Sequence, residues 1–179
     1  ICAEHAVAAR PIRFLLDGQL HEVPLTVAPT RTVLNYLRED LGRCGSKEGC
    51  AEGDCGACTV VIARPRGAAL EYQAINACIT PLCTLHGKQL ITVEDLHNGQ
   101  NLHPVQQAMV DCHASQCGFC TPGFVMSMAV GHLNGEDDHD THLAGNLCRC
   151  TGYAPIIRAA EDAAQTPVPD WLKTETSAD

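Results

Sequence analysis

Gly49-Cys50-Ala51-Glu52-Gly53-Asp54-Cys55-Gly56-Ala57-Cys58-Thr59-Val60 is the stretch on which the reading of the fold turns. Its three cysteines are spaced C-x4-C-x2-C, and with a distant fourth they match the plant-type spacing of a [2Fe–2S] centre. Such a centre takes four thiolates, two for each iron, so one ligand must come from elsewhere. Cys78 is the expected fourth, because a strand returning toward the loop delivers it; Cys83 is the competitor, five residues on. Glycines at 42, 45, 49, 53 and 56 have a physical reason here. Backbone that wraps a cluster approaches its sulfides closely, often with φ > 0. Zinc is the competing occupant, but zinc sites favour two short paired knuckles over a glycine-wrapped triplet.

A second set follows. Cys117 and Cys120 pair with Cys148 and Cys150, a C-x2-C with a C-x-C. Taken alone, these four thiolates suit either zinc or an iron–sulfur cluster. Two iron–sulfur centres in one small chain make a wire for single electrons and break no bond in a substrate. Consistent with that, there is no nucleophile elbow, phosphate-cradling glycine loop or dinucleotide fingerprint. Of the remaining cysteines, Cys83 and Cys112 are expected as small buried hydrophobes, Cys44 beside the cluster loop is expected to pack rather than ligate, and Cys2 has no assigned role. His139 and His142, with Asp137, Asp138 and Asp140, read as a solvated loop, since nothing fixes a coordination geometry. Met109, Met126 and Met128 read as helix core.

Composition narrows the class. In 179 residues there is room for one domain or two small ones. Aromatic residues make up only 4%, so clusters would serve as staples for small cores. Twelve Lys and Arg against 21 Asp and Glu give a formal charge of −9, which argues against a nucleic-acid or anionic-membrane partner. The longest apolar run, around Phe124–Val130, is too short to span a bilayer. No cleavable signal pattern is seen at the N-terminus, and twelve cysteines without one point to a reducing cytoplasm with metal-bound thiolates.

Along the chain, Ile12–Gly18 reads as a strand with its turn and Leu20–Thr26 as its hairpin partner. A helix is expected from Pro29-Thr30, with Val33, Leu34 and Leu37 inward and Arg38, Glu39 and Asp40 toward water. Thr59–Ala63, Leu70–Ala77 and Leu90–Val93 read as strands, with a turn at Pro65–Gly67. That order, with its cluster loop, predicts the β-grasp of plant-type ferredoxins over residues 11–93. Residues 94–165 predict a small all-α domain of four helices, beginning at Pro104, Thr121, Thr141 and Pro155. The whole is an α+β chain of two modules. Residues 1–10 read as an extension and 166–179 as a linker or frayed tail.

Residues 49–60, Ser115-Gln116-Cys117-Gly118-Phe119-Cys120-Thr121-Pro122-Gly123 and Leu143-Ala144-Gly145-Asn146-Leu147-Cys148-Arg149-Cys150-Thr151-Gly152-Tyr153 resemble the paired motifs of the molybdenum hydroxylases, the xanthine dehydrogenase and aldehyde oxidase family. The resemblance covers residues 11 to 165, and the paired motifs favour iron–sulfur over zinc at the second site. Glu52-Gly53-Asp54, His103–Gln107 and Phe124–Met128 look most like bacterial small subunits acting on xanthine. Small subunits acting on aldehydes, carbon monoxide or N-heterocycles share the framework.

The resemblance implies a route. A molybdopterin centre on a large partner chain would oxidise hypoxanthine or xanthine to urate. Cys117, Cys120, Cys148 and Cys150 would hold the first electron acceptor, with Gln116 and Cys150 facing the pterin. The cluster on Cys50, Cys55, Cys58 and Cys78 would pass electrons to FAD and then NAD, on an adjoining domain or another chain. An (αβ)2 assembly is implied. A free two-cluster ferredoxin and a zinc-stabilised interaction protein are the alternatives outside this class.

Overall fold

The computed structural model describes residues 10–67 and 69–172. Residues 1–9 of the expected N-terminal extension, Cys2 included, and the last seven residues lie outside the described residues.

Five strands form one mixed sheet in the order β2-β1-β5-β3-β4. β1 (Arg13–Leu16) and β2 (Gln19–Glu22) make a hairpin, and β3 (Thr59–Arg66) and β4 (Ala69–Asn76) make a longer one. β5 (Gln89–Ile91) joins them, parallel to β1 through Leu16 and Leu90 and antiparallel to β3 through Val61 and Ile91. The expected turn at Pro65 is instead strand. β5 flanks β3 only from Val61 to Ala63, so the outer half of the hairpin is an open ribbon in which a proline is tolerated.

The first helix starts later than expected. Thr32 caps it, its Oγ1 accepting from the Asn35 N–H at 3.2 Å. α1 (Val33–Asn35) then widens into a π-type turn over Tyr36–Asp40. Val33, Leu34 and Leu37 are buried as expected. Arg38 does more than face water. Its guanidinium donates to the carbonyls of Cys44 and Ser46 and so fixes the approach to the first cysteine loop.

The second half is helical: α2 (Pro104–Asp111), α3 (Thr121–Asn134), α4 (His139–Leu143) and α5 (Ala154–Ala164). His103 caps α2, with Nδ1 accepting from Val105, and Gln106 reaches back to the His103 N–H. α4 begins before Thr141 because Asp138 caps it, accepting from the Thr141 N–H. His142 bonds the Ser127 carbonyl at 2.6 Å, while Asp137, Asp138 and Asp140 are exposed, as expected of a solvated connection.

Two cores share the sheet. Phe14, Leu16, Val60, Ile62 and Leu90 pack with α1 on one face. Val61 and Ile91, on the opposite face, pack with Phe124, Val125, Met128 and Ile156 of the helices. β3 is therefore buried on both sides, its successive residues serving alternate cores. Met109, Met126 and Met128 are buried as expected.

The tail is docked through Leu172, in contrast to the frayed end expected from its prolines. Trp171 Nε1 donates to the Leu96 carbonyl, and the Tyr72 hydroxyl donates to the Leu172 carbonyl. His132 bonds the Thr166 carbonyl. No described helix is long and apolar enough to cross a membrane.

Candidate functional site: two four-thiol sets in contact

The described cysteines are all free thiols. In the first set, the loop after Arg38 and the end of β4 converge. Cys58 and Cys78 are buried and hydrogen-bonded to each other, with Cys55 close by. Cys50 and Cys55 are half-buried and share a thiol hydrogen bond. Cys83 is exposed, with its N–H on the Pro29 carbonyl, and it is Cys78 that meets Cys58. Pairing of β3 and β4 explains this, because Thr59 opposite Asn76 brings the residues flanking Cys58 and Cys78 together.

The turn at Ala51, with φ of +58°, folds the loop back on Cys50. The N–H groups of Glu52, Asp54 and Cys55 point at Cys50 Sγ from 3.3 to 3.5 Å. They hold its thiol down to about 6, favouring the thiolate. Burial pushes Cys58 up to about 12, with the neighbouring Cys78 thiol adding to the effect.

The second set joins the turn before α3 to the loop between α4 and α5. Cys117 is hydrogen-bonded to Cys150 and Cys120 to Cys148. Cys117 and Cys150 are exposed, whereas Cys120 and Cys148 are half-buried. The Phe119 N–H lowers Cys117, while burial and then Cys148 push Cys120 up to about 12. Tyr153 supports the loop, its hydroxyl oxygen accepting from the Cys148 N–H at 3.0 Å. Gln116 is exposed beside Cys117, and Phe119, Leu147 and Tyr153 of the same two loops are exposed apolar side chains.

Four facing thiols cannot all ionise while their charges go unanswered, and here burial opposes ionisation of Cys58 in one set and of Cys120 in the other. A cationic centre bonded to all four removes that conflict, so the donor chemistry fits a thiolate-bound metal cluster in both places. The convergent N–H groups on Cys50 are the pattern that tunes a cluster's sulfurs.

The two sets touch through their loops. The Leu147 N–H donates to the Cys55 carbonyl at 3.0 Å. Asn146 donates to the Gly56 carbonyl at 3.1 Å. A Cβ on Gly123 would stand 2.1 Å from the Gly56 oxygen, so the start of α3 lies directly on the first loop and only glycine fits. Asn146 and Gly123 sit inside the quoted motifs, but the cysteine spacing carried no sign of their contact with Gly56.

The remaining cysteines differ from expectation. Cys83 and Cys44 are exposed rather than packed. Cys112 is partly buried and donates its S–H to Asp162 at 3.2 Å.

Comparison with known proteins gives a consistent picture. Residues 15–83 match a 2Fe-2S iron-sulfur cluster binding domain, and residues 92–161 match a [2Fe-2S] binding domain. Over 136 residues, 72% of this chain, it is 52% identical to a xanthine dehydrogenase of Drosophila subobscura, of which it covers 10%. It is 47% identical over 155 residues to aldehyde oxidase 1 of Rattus norvegicus, covering 83% of this chain and 12% of that protein. A solved chain of quinoline 2-oxidoreductase from Pseudomonas putida 86 superposes with a TM-score of 0.74 at 34% identity, covering 87% of this chain and 92% of that one. The chain thus spans about a tenth of the length of the curated relatives it matches.

Proposed function

The chain belongs to the iron–sulfur portion of the xanthine dehydrogenase and aldehyde oxidase family of molybdenum hydroxylases, and from that premise we propose that it is the electron-transfer part of a xanthine dehydrogenase. In this reading it carries electrons singly from a molybdopterin centre on a large partner chain toward FAD and NAD, as hypoxanthine and xanthine become urate. The observation that carries the proposal is the contact between two four-thiol sets through one backbone hydrogen bond, Leu147 N–H to Cys55 O.

Cys50, Cys55, Cys58 and Cys78 would hold one [2Fe–2S] cluster and Cys117, Cys120, Cys148 and Cys150 the other. When bound, each cluster supplies a centre that accepts and releases one electron. The chain's own work is placement. β3 and β4 present Cys58 and Cys78, the glycine-rich loop wraps Cys50 and Cys55, and α3 seats Cys120. The N–H groups around Cys50 favour its charged form. The exposed rim of Gln116, Cys117 and Cys150 is the surface offered to the pterin-bearing partner. Residues 11–93 form the β-grasp module and 94–165 the helical module, with 166–179 leading onward. FAD would lie on an adjoining domain or subunit, in an (αβ)2 assembly in the cytoplasm.

A second reading keeps the wiring and changes the substrate. The quinoline 2-oxidoreductase chain superposes on this one at 34% identity, and 47% identity to an aldehyde oxidase is close to the 52% for a xanthine dehydrogenase. Both are separated by one assay on the native complex captured through this chain. With xanthine and NAD⁺ added, urate and NADH should form together. A complex that contains molybdenum, flavin and both clusters yet does not turn over xanthine would move the protein to an aldehyde or N-heterocycle hydroxylase.

A further inference from the structure

The contact between the two cysteine loops has two rungs. One is the backbone bond from Leu147 N–H to Cys55 O. The other is made by a side chain. Asn146 is 4% exposed, and both of its polar ends are used. Nδ2 donates to the Gly56 carbonyl at 3.1 Å and to Thr59 Oγ1 at 3.4 Å, while Oδ1 accepts from Ser127 Oγ at 2.7 Å. Thr59 in turn donates its hydroxyl to the same Gly56 carbonyl at 2.7 Å. The amide therefore ties together the first cysteine loop, the start of β3 and the middle of α3.

From this we infer that Asn146 is a positioning residue that sets the separation of the two clusters, and with it the rate at which an electron crosses between them. The inference rests on the reading of both thiol sets as [2Fe–2S] sites. Its position in the chain is what gives the side chain leverage. Asn146 precedes Leu147, which precedes Cys148, and its acceptor Gly56 follows Cys55. The side-chain rung is thus one residue from the backbone rung on both strands of the contact. Removing it leaves the Leu147–Cys55 bond as the sole hydrogen bond across that ladder of two. There is no slack to absorb the loss by closer packing. A Cβ on Gly56 would already meet Asn146 Nδ2 and the Gly145 carbonyl at 2.5 Å.

The side chain's chemistry is specific. A carboxylate at 146 would set negative charge against the Gly56 carbonyl, and an aliphatic residue would strand the Ser127 hydroxyl and leave the Gly56 carbonyl to Thr59 alone, with nothing from the second loop bonded to it. Only a group with a donor and an acceptor at this reach serves both neighbours. Its side-chain hydrogen bonds run to Gly56, Thr59 and Ser127 and not to a cysteine sulfur, so its loss acts on spacing and leaves all eight thiols present.

The test uses the whole complex carrying Asn146→Ala. Iron content and the two individual EPR signals report assembly. The spin–spin splitting between the reduced clusters reports their separation. Freeze-quench EPR after a pulse of substrate or dithionite reports the crossing rate. With both signals present, the expected result is a reduced splitting and a crossing slowed several-fold. Unchanged splitting and rate would overturn the inference. If Asn146→Ala does not assemble both clusters, Ser127→Ala decides, because it loosens the same amide from its far side: weaker splitting and slower crossing support the inference, and no change in either overturns it. Wild-type complex without two [2Fe–2S] signals would sink the reading of the sites themselves, a failure visible before any variant is compared.

Discussion

The Leu147 N–H and the Cys55 carbonyl are 3.0 Å apart, which joins the residue before one proposed ligand directly to another proposed ligand across the module boundary. The bond uses backbone alone, so it survives changes to either side chain. Cys148→Ser should therefore remove the helical-module cluster while the β-grasp cluster assembles normally. EPR should show one signal lost and one kept, and NADH formation should fall to background. Two unchanged signals would overturn the ligand assignment.

Gly123→Ala tests the seating of α3 on the first loop. The added methyl would stand 2.1 Å from the Gly56 oxygen, a backbone atom that cannot swing aside. Overpacking of this kind costs about 3 kcal/mol. In a protein of this size that corresponds to a fall in Tm of roughly 10 °C, measurable by calorimetry on the cluster-loaded chain in its complex.

Acid should weaken the helical module through His103. The residue is fully buried, and burial, with His132 beside it, lowers its titration from 6.5 to about 4. Above pH 6.5 the imidazole is neutral whether folded or unfolded, and the stability is intact. As pH falls from 6.5 toward 4, the unfolded chain binds a proton that the fold excludes. Stability then drops by up to ~3 kcal/mol, with about 2 kcal/mol gone by pH 5. His103→Asn keeps a capping acceptor and should lose this dependence. Denaturant unfolding of both proteins at pH 7.5 and pH 5 checks it, since acid effects common to the two cancel in the difference.

Trp171→Phe removes one hydrogen bond, from Nε1 to the Leu96 carbonyl, and keeps most of the ring. The expected cost is about 1 kcal/mol. Limited proteolysis after Ala164 should become faster in the variant, while cleavage within β3 and β4 should not change.

The sequence carried much of this arrangement because cluster chemistry constrains spacing. Three cysteines and five glycines in one stretch announced the first loop, and hairpin pairing sets Cys78 beside Cys58 while Cys83 lies exposed. Helix starts were less legible where the cap lay away from the obvious residue. Thr32, not Thr30, starts α1, and Asp138 pulls α4 two residues earlier. His103 as a cap was missed because histidine is not among the usual capping residues, although its partners Val105 and Gln106 are local, and the docked Trp171 was missed because it depends on a distant neighbour, Leu96. Asn146 was hidden for the same reason. Its partners, Gly56 and Ser127, lie 90 and 19 positions away.

β3 is a party wall. Val60 and Ile62 belong to the ferredoxin-like room and Val61 to the helical one, so each core uses the other's masonry. A single inserted residue in this strand would exchange the occupants of both rooms at once. Either half produced alone would present a bare apolar wall to water. Such a chain cannot acquire its second module as a loose attachment, nor trade it for an unrelated one, without rebuilding the strand on which both lean.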